Sequence, residues 1–343
     1  MPALCPKPLV WPTRAPARPT RERDRGLRIA GASFVCLSLA LPLTSCASNR
    51  VPVAAASVLQ EFVTPPFYRV EGDGGGTLLL MGTIHIGPLE GWQFSPALRE
   101  GLDRADRFIL EIDLREVTED SVSTLLANTA VIRPPNSLMD LVSPETAKLL
   151  DENDATLAQM GLPRNARNWK KPWYIALWLL ESASTRSGFE ARASAEGVIL
   201  EALGGRPLIG LETLDEQLGI FDNLSPQLQD VMLRDTLLRL DGGVEEIQSL
   251  VGAWRRGDED ELEEWARDGI DELPGLEEFY AVVLTDRNQR WMSVFRSLLD
   301  GPEYGGETLF VGVGALHLVG EDGLVNLLRE AGYEALPIDH SGR

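Results

Sequence analysis

Only three histidines occur in the 343 residues, His85, His317 and His340. Two of them share a local setting. Gly82-Thr83-Ile84-His85 follows one apolar run, and Gly314-Ala315-Leu316-His317 follows another. Each is trailed by a further glycine, Gly87 or Gly320. An imidazole just past a buried strand stands where parallel-sheet proteins bind ligands. A glycine there lets the backbone turn tightly or approach a ligand. The pair therefore reads as two imidazoles converging on one cleft. Glu111, between Leu110 and Ile112, and Glu212, after the run Leu208-Ile209-Gly210-Leu211, are costly to bury without partners and can complete the site. Two His with one or two Glu form a nitrogen and oxygen donor set that suits Zn²⁺, Mn²⁺, Co²⁺ or Fe²⁺. Such an ion acidifies a bound water and polarises a carbonyl. Without a metal, a His–Glu pair can act as general base and orienter.

These residues need a scaffold that carries them to one edge of a sheet. Phe67 to Val70 reads as a short strand, Asp73 to Gly76 as a turn, and Thr77 to Gly82 as a buried strand. Ser95-Pro96 is an N-cap followed by proline at the first helical position, so a helix runs to about Asp106. Arg107 to Ile112 is the next strand, and the three elements form a β-α-β unit with parallel strands. The chain closes in the same manner: strand 308–313, a helix over 324–331 capped by Gly332, and a strand from Tyr333 to Ile338. Between them lie helices opened by Ser143-Pro144, Pro172-Trp173 and Ser225-Pro226, others near 190–203, 244–255, 258–268 and 275–299, and a short strand at 207–211. The expected fold is α/β, a central and mostly parallel sheet built from two β-α-β-type halves. A large helical insertion spans about 115–300. The tryptophans Trp169, Trp173, Trp178 and Trp291 read as helix-packing anchors, and His340, beside Asp339 near the C-terminus, as exposed.

Composition narrows the classes. Lys and Arg number 32 against 52 Asp and Glu, a net charge of −20, with 44% hydrophobic residues. The chain can bury a core, and phosphate repels it, so nucleic acid is not an expected partner. No Gly-rich phosphate loop is present, and Gly312-x-Gly314 lacks the third glycine of a dinucleotide fingerprint. Residues 1–20 are rich in Pro and Arg. Arg21, Arg23, Arg25 and Arg28 then precede the uncharged apolar run Ile29 to Leu43, which has the length of a signal-peptide core. Leu43-Thr44-Ser45-Cys46 resembles a bacterial lipobox, with Cys46 as the lipidated first residue of the mature chain. An ordinary secretory signal or a single anchor are the alternatives. Ala47 after the cysteine favours the outer membrane of a two-membrane host, so the expected localisation is exported and membrane-tethered through lipid alone. Residues 47–64 read as a linker to a domain over 65–340. The cysteines are Cys5, Cys36 and Cys46. The body thus carries no thiol nucleophile, thiolate metal site or disulfide.

Taken together, the two Gly-x-x-His motifs resemble those of the TraB/GumN family, which includes the Tiki-type metalloproteases and is distantly similar to erythromycin esterases and the haem-binding lipoprotein ChaN. Glu111 matches the strand glutamate after the first motif. Lys171-Pro172-Trp173 resembles the family's Pro-Trp segment. Gly210-Leu211-Glu212-Thr213 with Gln217-Leu218 and Gln229 resembles its Leu-Glu-Thr block. Asp286-Arg287-Asn288 resembles an acidic-Arg-Asn segment, and Gly314 to Tyr333 its C-terminal signature. The likeness spans about 65–340. One departure is Gly188-Phe189-Glu190, where a Gly-x-Asp is expected, so no role is carried onto Glu190. The resemblance implies a metal-dependent peptidase or esterase acting on a peptide or a small ester or amide. His85 and His317 would be ligands or bases, Glu111 a ligand or general base, and Glu212 a supporting carboxylate. The metal set would be His85, Glu111 and His317. Arg287 would stabilise a developing oxyanion or else form a salt bridge to an acidic helix, and Asp286 and Asn288 could equally be helix-packing partners. The alternative function is non-catalytic sequestration of a peptide signal or of haem, which histidine ligation allows without a cysteine pair.

Overall fold

The computed structural model describes residues 61–341. The N-terminal extension, the signal-type segment, Cys46 and the linker up to residue 60 lie outside the described residues. The last of the expected linker is a strand instead: Glu61–Val63 pairs in parallel with Trp92–Phe94.

Six strands form the central sheet. In chain order they are β1 (Phe67–Glu71), β2 (Thr77–Thr83), β3 (Arg107–Leu110), β4 (Leu208–Gly210), β5 (Thr308–Gly314) and β6 (Glu334–Pro337). Their order across the sheet is β6-β1-β2-β5-β3-β4. The pairs β2–β5, β5–β3 and β3–β4 are parallel, whereas β1 is antiparallel to both β2 and β6. Five strands therefore run one way and only β1 opposes them. Within this α/β sheet the two expected halves are not side by side. The C-terminal strand β5 lies between β2 and β3, because its unbroken apolar run Leu309-Phe310-Val311 can be buried on both faces only at the centre of the sheet. β4, inside the helical region, extends the sheet past β3.

Alternation along the strands feeds two cores. Phe67, Met81, Phe108 and Phe310 join the larger cluster, with the helices of residues 119–285. Val70, Leu78, Leu80, Ile109, Val311 and Val313 face the other way, against Trp291, Phe295, Leu299, Leu324 and Leu328. The glycine turn between β1 and β2 is needed for this second layer. The N–H groups of Gly75 and Gly76 donate to Leu299 O and Leu298 O at 2.8 and 2.9 Å, and a Cβ on Gly75 would collide with that backbone. The Ser-Pro starts form caps as the sequence implies: the hydroxyls of Ser95, Ser143 and Ser225 accept from the N–H groups of Leu98, Thr146 and Leu228. His340 is not exposed as expected. Its Nδ1 is 2.8 Å from Ser95 Oγ and its Nε2 2.9 Å from Pro65 O, which ties the chain end to the first helix.

Candidate functional site

The C-terminal ends of β2, β5, β3 and β4 lie along one edge of the sheet, and each delivers one candidate residue. His85 follows β2, Glu111 directly follows β3, Glu212 lies two residues past β4, and His317 lies three past β5. Glu111 is thus beyond its strand rather than within it. Glycine marks the point of convergence. A Cβ on Gly314 would meet Glu111 Oε1 at 3.2 Å, the His317 ring at 3.6 Å and His85 Nε2 at 3.8 Å. Both imidazoles and the carboxylate lie around one backbone position.

Behind that point sits a buried charge network. Arg287 opens the helix α1 (Asp286–Asp300), directly after a π-helical turn over Ala281–Thr285. Its side chain is fully buried. Nη2 donates to Glu111 Oε2 at 2.6 Å and to Glu212 Oε2 at 2.8 Å. Nε donates to Glu212 at 3.0 Å. Nη1 faces Val283 O at 3.2 Å and His317 Nε2 at 3.0 Å. All five guanidinium N–H groups are used, so the expected oxyanion role finds no donor in this arrangement. The salt-bridge alternative describes Arg287 better, with the strand-end carboxylates Glu111 and Glu212 as partners in place of an acidic helix. Glu111 is fixed further by the Gly314 N–H, 2.7 Å from Oε1, and by Gln217 Nε2, 3.2 Å from Oε2.

His317 is fully buried and is locked on both nitrogens. The Asn288 amide donates to His317 O and Asp322 O, which turns its Oδ1 toward His317 Nδ1 at 2.7 Å. Nδ1 therefore carries the proton, and Nε2 accepts from Arg287. Burial, then the charge of Arg287 and then His85, hold this imidazole well below its ordinary pKa, so it is neutral. Trp291 covers both groups, with its ring 4.6 Å from the His317 centroid and 4.6 Å from the guanidinium. It is buried, as an anchor should be, whereas Trp169 is exposed.

The other histidine has a different environment. His85 Nδ1 lies 2.9 Å from Glu196 Oε1, and the His85 side chain remains 19% exposed. Burial raises the Glu196 carboxyl, but the His85 ring, with smaller contributions from Thr83 and the backbone, holds it below the usual carboxylate range. Glu196 stands in the first turn of α2 (Ala195–Ala202), capped by Ser194. The Ala195 N–H donates to Ile84 O at 3.0 Å, and Gly87 pairs with Glu190. These contacts clamp the turn carrying His85 against the start of α2. A side chain at Gly87 would strike the Ala193 carbonyl. The carboxylate beside His85 is thus six residues from the one singled out by the family departure. Glu190 itself ion-pairs with Arg192 at 2.6 Å near the surface.

His85, Glu111, Glu196 and Gln217 form the polar end of a cavity of about 320 Å³. Its other wall is largely apolar, formed by residues such as Ile112, Leu114, Val117 and Val122. His317, Arg287 and Glu212 do not line it. The three-ligand metal set of His85, Glu111 and His317 does not fit this arrangement. Nε2 of His317 accepts from Arg287, whose guanidinium is already the cation that joins Glu111, Glu212 and His317. Among the described residues no group of three or more His, Cys, Asp or Glu side chains is arranged to hold an ion. A haem iron would likewise find both nitrogens of His317 engaged.

The uncharacterized protein YbaP of Escherichia coli (strain K12) is 25% identical over 284 residues, covering 82% of this chain and 98% of that protein. The protein of the same name from Shigella flexneri matches to the same extent. An uncharacterized protein of Treponema pallidum (strain Nichols) is 20% identical over 207 residues, 59% of each chain. No solved structure matches. The sequence profile of the TraB/PrgY/gumN family matches residues 66–337, which takes in all four strand ends and every residue of the site. The chain belongs to the TraB/PrgY/gumN family.

Proposed function

We propose that the protein is a hydrolase of a carboxylic ester or amide, with His85 as general base and Glu196 as the residue that positions it. The observation that carries this reading is the His85–Glu196 pair, 2.9 Å apart in the wall of a cavity. A carboxylate beside Nδ1 favours that nitrogen as the proton carrier and leaves Nε2 as the base, the logic of a triad whose nucleophile is water. The water oxygen bonds to the carbonyl carbon while its proton passes to Nε2. The same proton then goes to the leaving oxygen or nitrogen as that bond breaks, which leaves an acid and an alcohol or amine. Gln217 gives one amide hydrogen to Glu111 and has a second for the carbonyl oxygen. Glu111, Glu212, Arg287 and His317 hold the rear of the site rigid. None of these steps needs a metal ion.

Glu196→Gln is expected to lower kcat/KM for p-nitrophenyl butyrate on the order of 10²-fold or more. It should also move the acid limb of the pH profile to lower pH, because the imidazolium loses the carboxylate that stabilises it. A fall in rate with an unmoved acid limb would assign Glu196 a structural role only. The reading includes export and lipid attachment at Cys46. In cell fractionation Cys46→Ser should shift the protein from the membrane to the soluble fraction; an unchanged distribution would remove the lipid tether from the account.

A further inference from the structure

The cavity also bears on the substrate, on the basis of the hydrolase reading above. Its two ends differ in chemistry. The polar end holds two carboxylates: Glu111, matched by Arg287, and Glu196, which faces a His85 ring that is neutral when it acts as the base. At the mouth Arg192 is paired with Glu190. A substrate carboxylate drawn in beside His85 would give up its hydration next to the two anions Glu111 and Glu196. The group next to the scissile bond is therefore not an anion.

The apolar end is built for carbon. Ile112, Leu114 and Val117 come from the turn that follows Glu111, and Val122 from the helix Glu119–Thr129. The turn is held by its own backbone, with the Glu116 N–H on Asp113 O at 3.0 Å and the Val117 N–H on Leu114 O at 3.3 Å. Thr118 and Ser121 form a reciprocal capping box that fixes where the helix begins. One chain segment thus carries both Glu111 and the wall. Val122 and Ile112 are 2% and 8% exposed, so their side chains end at the cavity rather than in open solvent.

We infer that the wall of Ile112, Leu114, Val117 and Val122 is an acyl pocket, and that the substrate is an ester or amide whose acyl side carries an aliphatic chain and no anion beside the scissile bond. The scissile carbonyl sits beside His85, the aliphatic chain lies along the wall, and the leaving group points to the mouth, where Glu119 and Arg192 meet solvent. A cavity of about 320 Å³ is filled by a short to medium chain, and further methylenes gain no more buried contact.

A p-nitrophenyl ester series from acetate to dodecanoate tests this on the purified full-length protein. In the wild type kcat/KM should rise about fourfold per methylene, the equivalent of burying one CH₂, and level off between butyrate and octanoate. Val122→Trp fills the wall and should lower the hexanoate-to-acetate ratio at least tenfold. Leu114→Trp, from the turn, gives the same readout if the first variant does not fold. Calorimetric titration with hexanamide separates the pocket from the chemistry. Turnover that depends on His85 but is flat with chain length, or a ratio unmoved by both tryptophan variants, overturns the acyl pocket and leaves the hydrolase reading standing. Hexanamide binding that both variants abolish, with no ester turned over, upholds the pocket and overturns the hydrolase reading. Neither turnover nor binding overturns both.

Discussion

Arg287→Ala is expected to destabilise the fold by about 3–5 kcal/mol, the cost of removing one partner from a buried ion pair. That corresponds to a fall in Tm on the order of 10 °C. Glu111 and Glu212 would be left in the interior with their cation gone, and His317 Nε2 would lose its donor. The vacated volume sits under Trp291, whose ring rests on the guanidinium. Chemical denaturation checks this as a lower midpoint at unchanged slope. Arg287→Lys should recover only part of the loss, since an ammonium keeps the charge but cannot present the fork that binds two carboxylates together. Glu212→Gln should cost less than Arg287→Ala, because Arg287 keeps Glu111 as its counter-charge. If Arg287→Ala lay within about 1 kcal/mol of wild type, the four groups would not be the interdependent unit described here.

Much of this arrangement is legible in the sequence, and for identifiable reasons. Apolar runs that break at a polar residue mark the carboxyl ends of buried strands, so His85, Glu212 and His317 could each be placed at a strand end without knowing which strands are neighbours, whereas Glu111 read as part of its strand. Gly314 and Gly87 carried further information, because each occupies a place where a side chain would strike the site or the turn that supports it. The serine and proline starts were local signals and formed as local structure.

What was not legible depended on pairing between distant segments. No nearby residue tells β5 to insert between β2 and β3, and the expectation of two separate halves followed from chain order alone. Glu196 was missed because a glutamate in the first turn of a helix is an ordinary partner for the helix dipole. The hydrogen bond from Ala195 to Ile84 and the pairing of Gly87 with Glu190 bring it to His85. Arg287 was found as a residue, but its role follows from acceptors on three distant segments, at Glu111, Glu212 and His317, and on the turn just before its own helix, at Val283. The equivalence of the two histidine motifs was likewise a matter of sequence. In space one ring is buried, neutral and locked, and the other opens on a cavity. His340 looked exposed because a chain terminus usually is, yet two hydrogen bonds hold it in place.

The second large effect lies at that open ring. His85→Asn places an amide N–H where Nδ1 stood, so Glu196 keeps a donor, and it removes the nitrogen that would take a proton from water. The variant should stay folded and lose about 10²–10⁴-fold in rate, the usual contribution of a general base. His317→Asn should behave in the opposite way, with a loss of stability that accompanies any loss of rate, because that ring serves Arg287 and Asn288 rather than the cavity.

The most direct measurement is kcat/KM for p-nitrophenyl butyrate by wild type and His85→Asn side by side, with thermal melts on the same samples. Hydrolysis by the wild type, a fall of at least about 10²-fold in the variant and a melting temperature that stays put would be the predicted result. Equal rates in the two proteins, or no hydrolysis by either, would contradict the assignment of His85 as the base.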